Sequence, residues 1–443
     1  MQIDTSLRKI GQSSIPRTDI KETFNFLFLF VFLFLNMFVP SSYRLIRMVV
    51  LFAWLAYSLF FCNKKIKIGN GLFVSFIIYL VVFSLSFLLG LFKNSEGSLQ
   101  LFRVYVIFPI VFYLLSLQIN SINSIKAINN TLLIIEFLIC FTDVWFCIYK
   151  LGIVNFYPPF IENIDMGYRF NSEWIPMKFS TTHVCTHIFM VPYTMSLVAY
   201  NFFNEQKINI KLLILFAFEL LACFFSGRIA LWVVCLVSFL IVTIISFHCF
   251  KNNRNAFENR ILKQRKIFFV VVGLLILLLA IINFYYLFEL VFSSISNKLN
   301  SSFTVNDSAD SSRAIQMTYL INGWLSNFFF GNGMGSHPVY ITDSLQPWAY
   351  EMTYHYVLYQ SGIFGLFALL LFYGAIMVLV MRGYRKKKVS FIHSVPFALG
   401  MFSIVLSAAV EPYLFKSGTY WMIFIPFGVA MFSLKKKKEI FIT

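Results

Sequence analysis

The chain has 443 residues, 59% of them hydrophobic, and a formal net charge of +17. Only 12% of its residues are charged, against about 25% in an ordinary soluble chain, and mean hydropathy is +0.76. These values exclude an ordinary soluble domain, and with no groove-reading motif present the positive charge does not point to nucleic acid.

Twelve apolar runs suited to helical spans of about 20 residues begin near Phe24, Met48, Gly71, Leu99, Thr131, His183, Leu212, Ile229, Ile267, Tyr354, Ile392 and Tyr420. The runs near Met48 and Leu212 are short. Lys and Arg cluster in alternate gaps: Arg8 to Lys21, Lys64 to Lys67, Lys207 with Lys211, Lys251 to Lys266, Arg382 to Lys388, and Lys435 to Lys438. Of the 36 basic residues, 24 fall in these clusters, and Lys126 brings the total in gaps of this set to 25. Short cytoplasmic loops hold the excess positive charge of membrane proteins. The expectation is an all-α, polytopic membrane protein with about 12 transmembrane helices, both termini cytoplasmic, and residues 1–443 forming a single transmembrane domain. No cleavage pattern follows the first run.

Two gaps expected outside are long. The first, 151–182, contains Pro158-Pro159 and a polar stretch from Gly167 to Trp174. The second, 291–352, is patterned. Asp310-Ser-Ser312 offers N-caps, and Ala314, Ile315, Met317, Leu320, Ile321, Trp324 and Leu325 recur at helical spacing. An amphipathic helix is expected there, lying on the membrane or capping a cavity. It should stop before a flexible turn, Gly331-Asn-Gly-Met-Gly335. That Gly-x-Gly follows no strand and precedes no Lys-Ser/Thr, so it is neither a dinucleotide fingerprint nor a P-loop.

Basic residues outside run against the positive-inside bias and need a reason. Arg228 lies in Ser226-Gly-Arg-Ile-Ala230, Arg313 in the first turn of the loop helix, and Arg169 in the first long gap. Each alone fits a snorkelling or solvated charge; together they fit an anion clamp, because a guanidinium fork matches phosphate geometry. Glu351 and Glu411 stand at helix ends expected outside, where a partly desolvated carboxyl can act as a general base; the bland alternative is a helix-terminal charge. Glu136, Asp143 and Glu219 lie within apolar runs. Intramembrane acids usually face the bundle interior, and pairing with an Arg such as Arg103 is the simplest expectation. His183 and His187 are spaced i, i+4 around Cys185, a possible metal face, but no HExxH or further ligand set accompanies them, so no metal and no cofactor is expected. The seven Cys form no CxxC pair and suit buried small hydrophobes.

The layout of many helices with one large outer loop near the C-terminal end resembles the O-antigen polymerase and ligase superfamily. Ser226-Gly-Arg-Ile-Ala230 looks like its Ser-Arg-small motif. Arg313, then Trp324 and Phe328-Phe-Phe-Gly-Asn-Gly-Met-Gly335, looks like its arginine and aromatic-Gly-x-Gly segment, without the usual Pro before Phe328. Glu351 followed by Leu358 and Gly362-Ile-Phe-Gly365 looks like its loop-to-helix junction. Where ligases carry His-Asn, this chain has Glu351-Met352, which favours an O-antigen polymerase.

The resemblance implies a GT-C-like fold in the bacterial inner membrane and metal-independent inverting glycosyl transfer at the periplasmic face. The donor would be an undecaprenyl-pyrophosphate-linked glycan. Arg169, Arg228 and Arg313, with Arg103 further off, would hold the pyrophosphate, and Glu351 or Glu411 would be the catalytic base. A chain-length regulator (co-polymerase) and membrane lipids would be partners. The alternatives are an O-antigen ligase, or a lipid-linked oligosaccharide flippase or transporter; against the last, no two-half repeat is visible.

Overall fold

The computed structural model describes residues 20–40, 43–61, 70–157, 169–171, 178–180, 183–204, 209–226, 228–249, 273–274, 278, 309–341, 346–386, 389–409, 411–414, 416 and 418–434. The helices are α1 Ile20–Met37, α2 Arg44–Phe61, α3 Asn70–Phe92, α4 Ser98–Phe102, α5 Phe108–Ser116, α6 Ile122–Lys150, α7 Val184–Asn204, α8 Ile210–Ser226, α9 Ile229–Cys249, α10 Ala309–Leu325, α11 Thr353–Arg385, α12 Val395–Ser407 and α13 Trp421–Leu434. Helices cover eleven of the twelve apolar runs; the run near Ile267 lies largely outside the described residues. Among the described residues, four helical stretches are long and apolar enough to cross a membrane: Gly71–Phe92, Ser98–Ser116, Ile122–Lys150 and Thr353–Arg385. The protein is a helical, membrane-embedded bundle. Among the described residues, the one departure from all-α is a two-stranded antiparallel ladder in the first long gap, β1 Arg169–Asn171 with β2 Lys178–Ser180.

The centre of the bundle is α7, α12 and α13. Every residue of α13 from Trp421 to Ser433 is buried, as expected of a helix apolar on all sides. Prolines interrupt the helical ladder, and neighbouring hydroxyls repair it. Pro109 cannot donate to the carbonyl of Tyr105; Tyr79 Oη donates to it instead at 2.9 Å, and the chain between α4 and α5 relaxes into a π turn, Arg103–Ile107. Pro192 leaves the Ile188 carbonyl without its helical donor; Ser403 Oγ of α12 supplies the bond at 2.6 Å. In an apolar interior such orphaned carbonyls would otherwise cost several kcal/mol. These repairs fix α3 against the π turn and α7 against α12.

The segment Gly331–Gly335, expected as a flexible turn, is a pinned strut. The backbone N–H groups of Asn332 and Gly333 donate to the carbonyls of Tyr359 and Gln360 in α11, and that of Met334 donates to Ser86 of α3. The Met334 carbonyl accepts from Ser98 Oγ at 2.8 Å. The approach is close: a Cβ on Gly333 would sit 2.6 Å from the Gly90 nitrogen. In return α11 opens at Gly362 (φ 63°, ψ −166°), and Ile363 and Phe364 donate to the carbonyls of Phe328 and Phe329. Gly362 therefore admits the loop rather than a neighbouring helix. Residues 310–312 lie inside the first turn of α10 rather than ahead of it as caps. The face that α10 turns to the bundle holds buried Gln316 and Leu320, whereas Ile315, Met317 and Leu325 are exposed.

Candidate functional site

Four of the residues singled out from sequence meet at one end of the bundle. Arg228 precedes α9, and its N–H donates to Ser226 Oγ at 3.4 Å. Glu411 follows α12; its N–H donates to the Ser407 carbonyl, and its own carbonyl accepts from Thr353 Oγ1 at 3.2 Å. Glu351 precedes α11, held by its N–H donating to Oε1 of buried Gln316 at 3.2 Å. Arg313 lies one turn into α10.

Their side chains alternate in charge. Arg228 Nη1 is 3.5 Å from Glu411 Oε1. Arg313 Nη2 donates to the same oxygen at 3.4 Å, and Arg313 Nε donates to Glu351 Oε2 at 2.7 Å. Glu411 is the enclosed member, its side chain 12% exposed; that of Glu351 is 49% exposed. Buried Tyr413 stands beside Glu411. Burial pushes its hydroxyl above the ordinary range, and Glu411 beside it adds to the rise, so Tyr413 is a neutral hydrogen-bonding group at working pH. Partly exposed ion pairs contribute only about 0–1 kcal/mol each, too little to hold the loop on the bundle. The backbone strut does that.

Arg103 stands apart from this group. It is exposed at the start of the π turn, and among the described residues no hydrogen bond or ion pair joins it to the four. Arg169 opens β1, opposite Ser180; its side chain lies outside the described residues. Sequence reasoning missed Gln316 and Tyr413, which carry no motif and matter only through where the chain places them.

The intramembrane acids are not paired with Arg103, as the sequence suggested. The partners of Asp143 and Glu136 are histidines. His183 Nδ1 is 2.7 Å from Asp143 Oδ1, and its Nε2 is 2.7 Å from the Phe38 carbonyl. His187 Nε2 is 2.9 Å from Asp143 Oδ2, and its Nδ1 is 2.8 Å from Glu136 Oε1. The i, i+4 spacing of the histidines on α7 faces them together onto α6, where Glu136 and Asp143 lie two turns apart. Cys140 Sγ also donates to Glu136 Oε1, at 3.5 Å, and Glu219 of α8 accepts from Thr194 Oγ1. Donor atoms of Glu136, Cys140 and His187 all lie within 4.8 Å of one another, a set able to hold a metal ion. It is not the His183-Cys185-His187 face considered from spacing.

A groove of about 930 Å³ opens between α3 and residues 326–331, lined by Leu85, Leu89, Phe92, Phe328 and Phe330 with Lys93 among them. Comparison with protein-family models and with curated proteins gives no match.

Proposed function

We propose that this chain is a membrane glycosyltransferase that polymerises undecaprenyl-pyrophosphate-linked oligosaccharide repeat units, an O-antigen polymerase of about twelve spans working at the periplasmic face of the inner membrane. The observation that supports it most is the convergence of Arg228 and Arg313, from distant parts of the chain, on Glu351 and Glu411 at one end of the bundle. In this reaction a hydroxyl of one repeat unit attacks the anomeric carbon of another. The new glycosidic bond forms as the bond to the lipid pyrophosphate breaks. The leaving pyrophosphate gathers negative charge, which two guanidiniums aimed at one spot stabilise. The attacking hydroxyl loses its proton to a carboxylate. Glu351 suits that role better than Glu411: it is half-exposed and bonded to one arginine, whereas Glu411 Oε1 is shared between two. The apolar groove beside α3, with Lys93 among its lining residues, suits a polyprenyl chain.

A second reading, a lipid-linked oligosaccharide flippase, gains from the buried His-Asp-His-Glu chain, since intramembrane charges often mark transport pathways. One experiment separates the readings. In a strain lacking the gene, lipopolysaccharide with a single repeat on the core indicates a polymerase. Bare core with accumulated lipid-linked polymer indicates a ligase, and bare core with lipid-linked single units retained in the cytoplasmic leaflet indicates a flippase.

A further inference from the structure

We propose that Glu136, Cys140 and His187 form a structural site for a divalent ion of the zinc class, clamping α6 to α7 within the bundle. All three residues are buried, at 0%, 0% and 1% exposure. Glu136 and Cys140 are one helical turn apart on α6 and so share a face; His187 reaches them from α7. A thiol, an imidazole and a carboxylate in one pocket make the donor set of zinc.

Two further features point to a cation. First, His187 presents Nδ1 to the pocket while Nε2 is held by Asp143 at 2.9 Å. A carboxylate on the far ring nitrogen is the usual way a metal-binding imidazole is oriented and made more basic. Asp143 is itself anchored by His183, which reaches on to the Phe38 carbonyl. Second, two carboxylate oxygens here are buried and without a hydrogen-bond partner among the described residues: Glu136 Oε2 and Glu219 Oε1. Glu219 lies close enough to Glu136 and Cys140 for their charges to interact. Buried oxygens of this kind are costly unless something satisfies them, and Glu136 Oε2 belongs to a residue already in the donor set. His187 Nδ1 and Cys140 Sγ converge on Glu136 Oε1, at 2.8 and 3.5 Å. The site would fill as the helices assemble, tying metal binding to folding.

The test uses the full chain purified in detergent from zinc-replete cells. Elemental analysis should find about one zinc per chain, as for a closed structural site. Cobalt loaded in place of zinc should show thiolate-to-cobalt charge-transfer absorption in the near ultraviolet. Cys140→Ser should lose that absorption, whereas Cys147→Ser, two turns further along α6, should keep it. Asp143→Asn should weaken metal affinity roughly 10- to 100-fold by releasing the His187 ring. If Cys140→Ser does not fold, the wild-type measurements decide alone. Monodisperse wild-type protein with only trace zinc and no thiolate band would overturn the site and leave a proton-filled hydrogen-bond chain in its place. A thiolate band that survives in folded Cys140→Ser would overturn the assignment equally. None of these readouts depends on glycosyl transfer.

Discussion

Arg313 Nε donates to Glu351 Oε2 at 2.7 Å, tying the first turn of α10 to the residue two before α11. The bond pairs a candidate pyrophosphate ligand with a candidate base across 38 positions of sequence. An arginine so placed holds the carboxylate in one orientation while its Nη2 donates to Glu411 Oε1.

Glu351→Gln keeps the side-chain shape and a carbonyl oxygen to accept from Arg313, but removes the proton acceptor. Polymer synthesis should fall roughly 10²- to 10⁴-fold, the usual cost of losing a general base. Protein level should be unchanged, because an exposed pair contributes only about 0–1 kcal/mol. Lipopolysaccharide gels with an immunoblot for the protein check both. Long-chain polymer from this variant would shift the base to Glu411.

Arg228→Ala and Arg313→Ala should each abolish polymer at normal membrane abundance. Arg→Lys should restore part of it, since a point charge replaces the fork but not its two-donor geometry. Wild-type chain lengths in both Ala variants would show that the pyrophosphate binds elsewhere.

Gly362→Ala should destabilise the loop. The residue has φ 63°, and its added Cβ would lie 2.1 Å from the Phe329 carbonyl oxygen. The backbone conformation alone costs about 1–3 kcal/mol for a residue with a side chain, before the clash. Gly374→Ala, on the same helix with nothing within 4 Å, is the control and should be neutral or mildly stabilising. Thermal unfolding in detergent should separate the two; equal midpoints would mean the strut is not docked at Gly362.

Asp143→Ala should be far more damaging to stability than Arg313→Ala. It leaves two buried histidines facing no carboxylate at that point, and breaking a buried charged pair costs about 3–5 kcal/mol. The exposed Arg313 pair costs under about 1 kcal/mol. Comparable unfolding midpoints for the two variants would contradict the buried chain.

Alkaline phosphatase fused after Asn306 should be active, and fused after Asn255 inactive, because the positive-inside bias predicts a cytoplasmic side for 251–266. The opposite pattern would put the Arg-Glu group on the cytoplasmic side and remove the case for a periplasmic transferase.

The amino-acid sequence by itself determined the helices. Length and apolarity of a run are local properties, so α3, α6 and α11 are legible directly, and the i, i+3, i+4 pattern after Asp310 placed α10. It also marked Arg228, Arg313, Glu351 and Glu411, because charge is rare in such a chain. What only the tertiary structure decided is who meets whom. Glu411 and Arg313 are 98 positions apart, and nothing local says that they share a site while Arg103 does not. The glycines after Phe330 look like a flexible turn because sequence shows their freedom but not the α3 and α11 backbones that use it. The buried acids found histidines rather than arginine for a similar reason. The partner of an intramembrane carboxylate is set by which helix faces pack together, and α6 packs its acidic face on α7, where His183 and His187 project one turn apart.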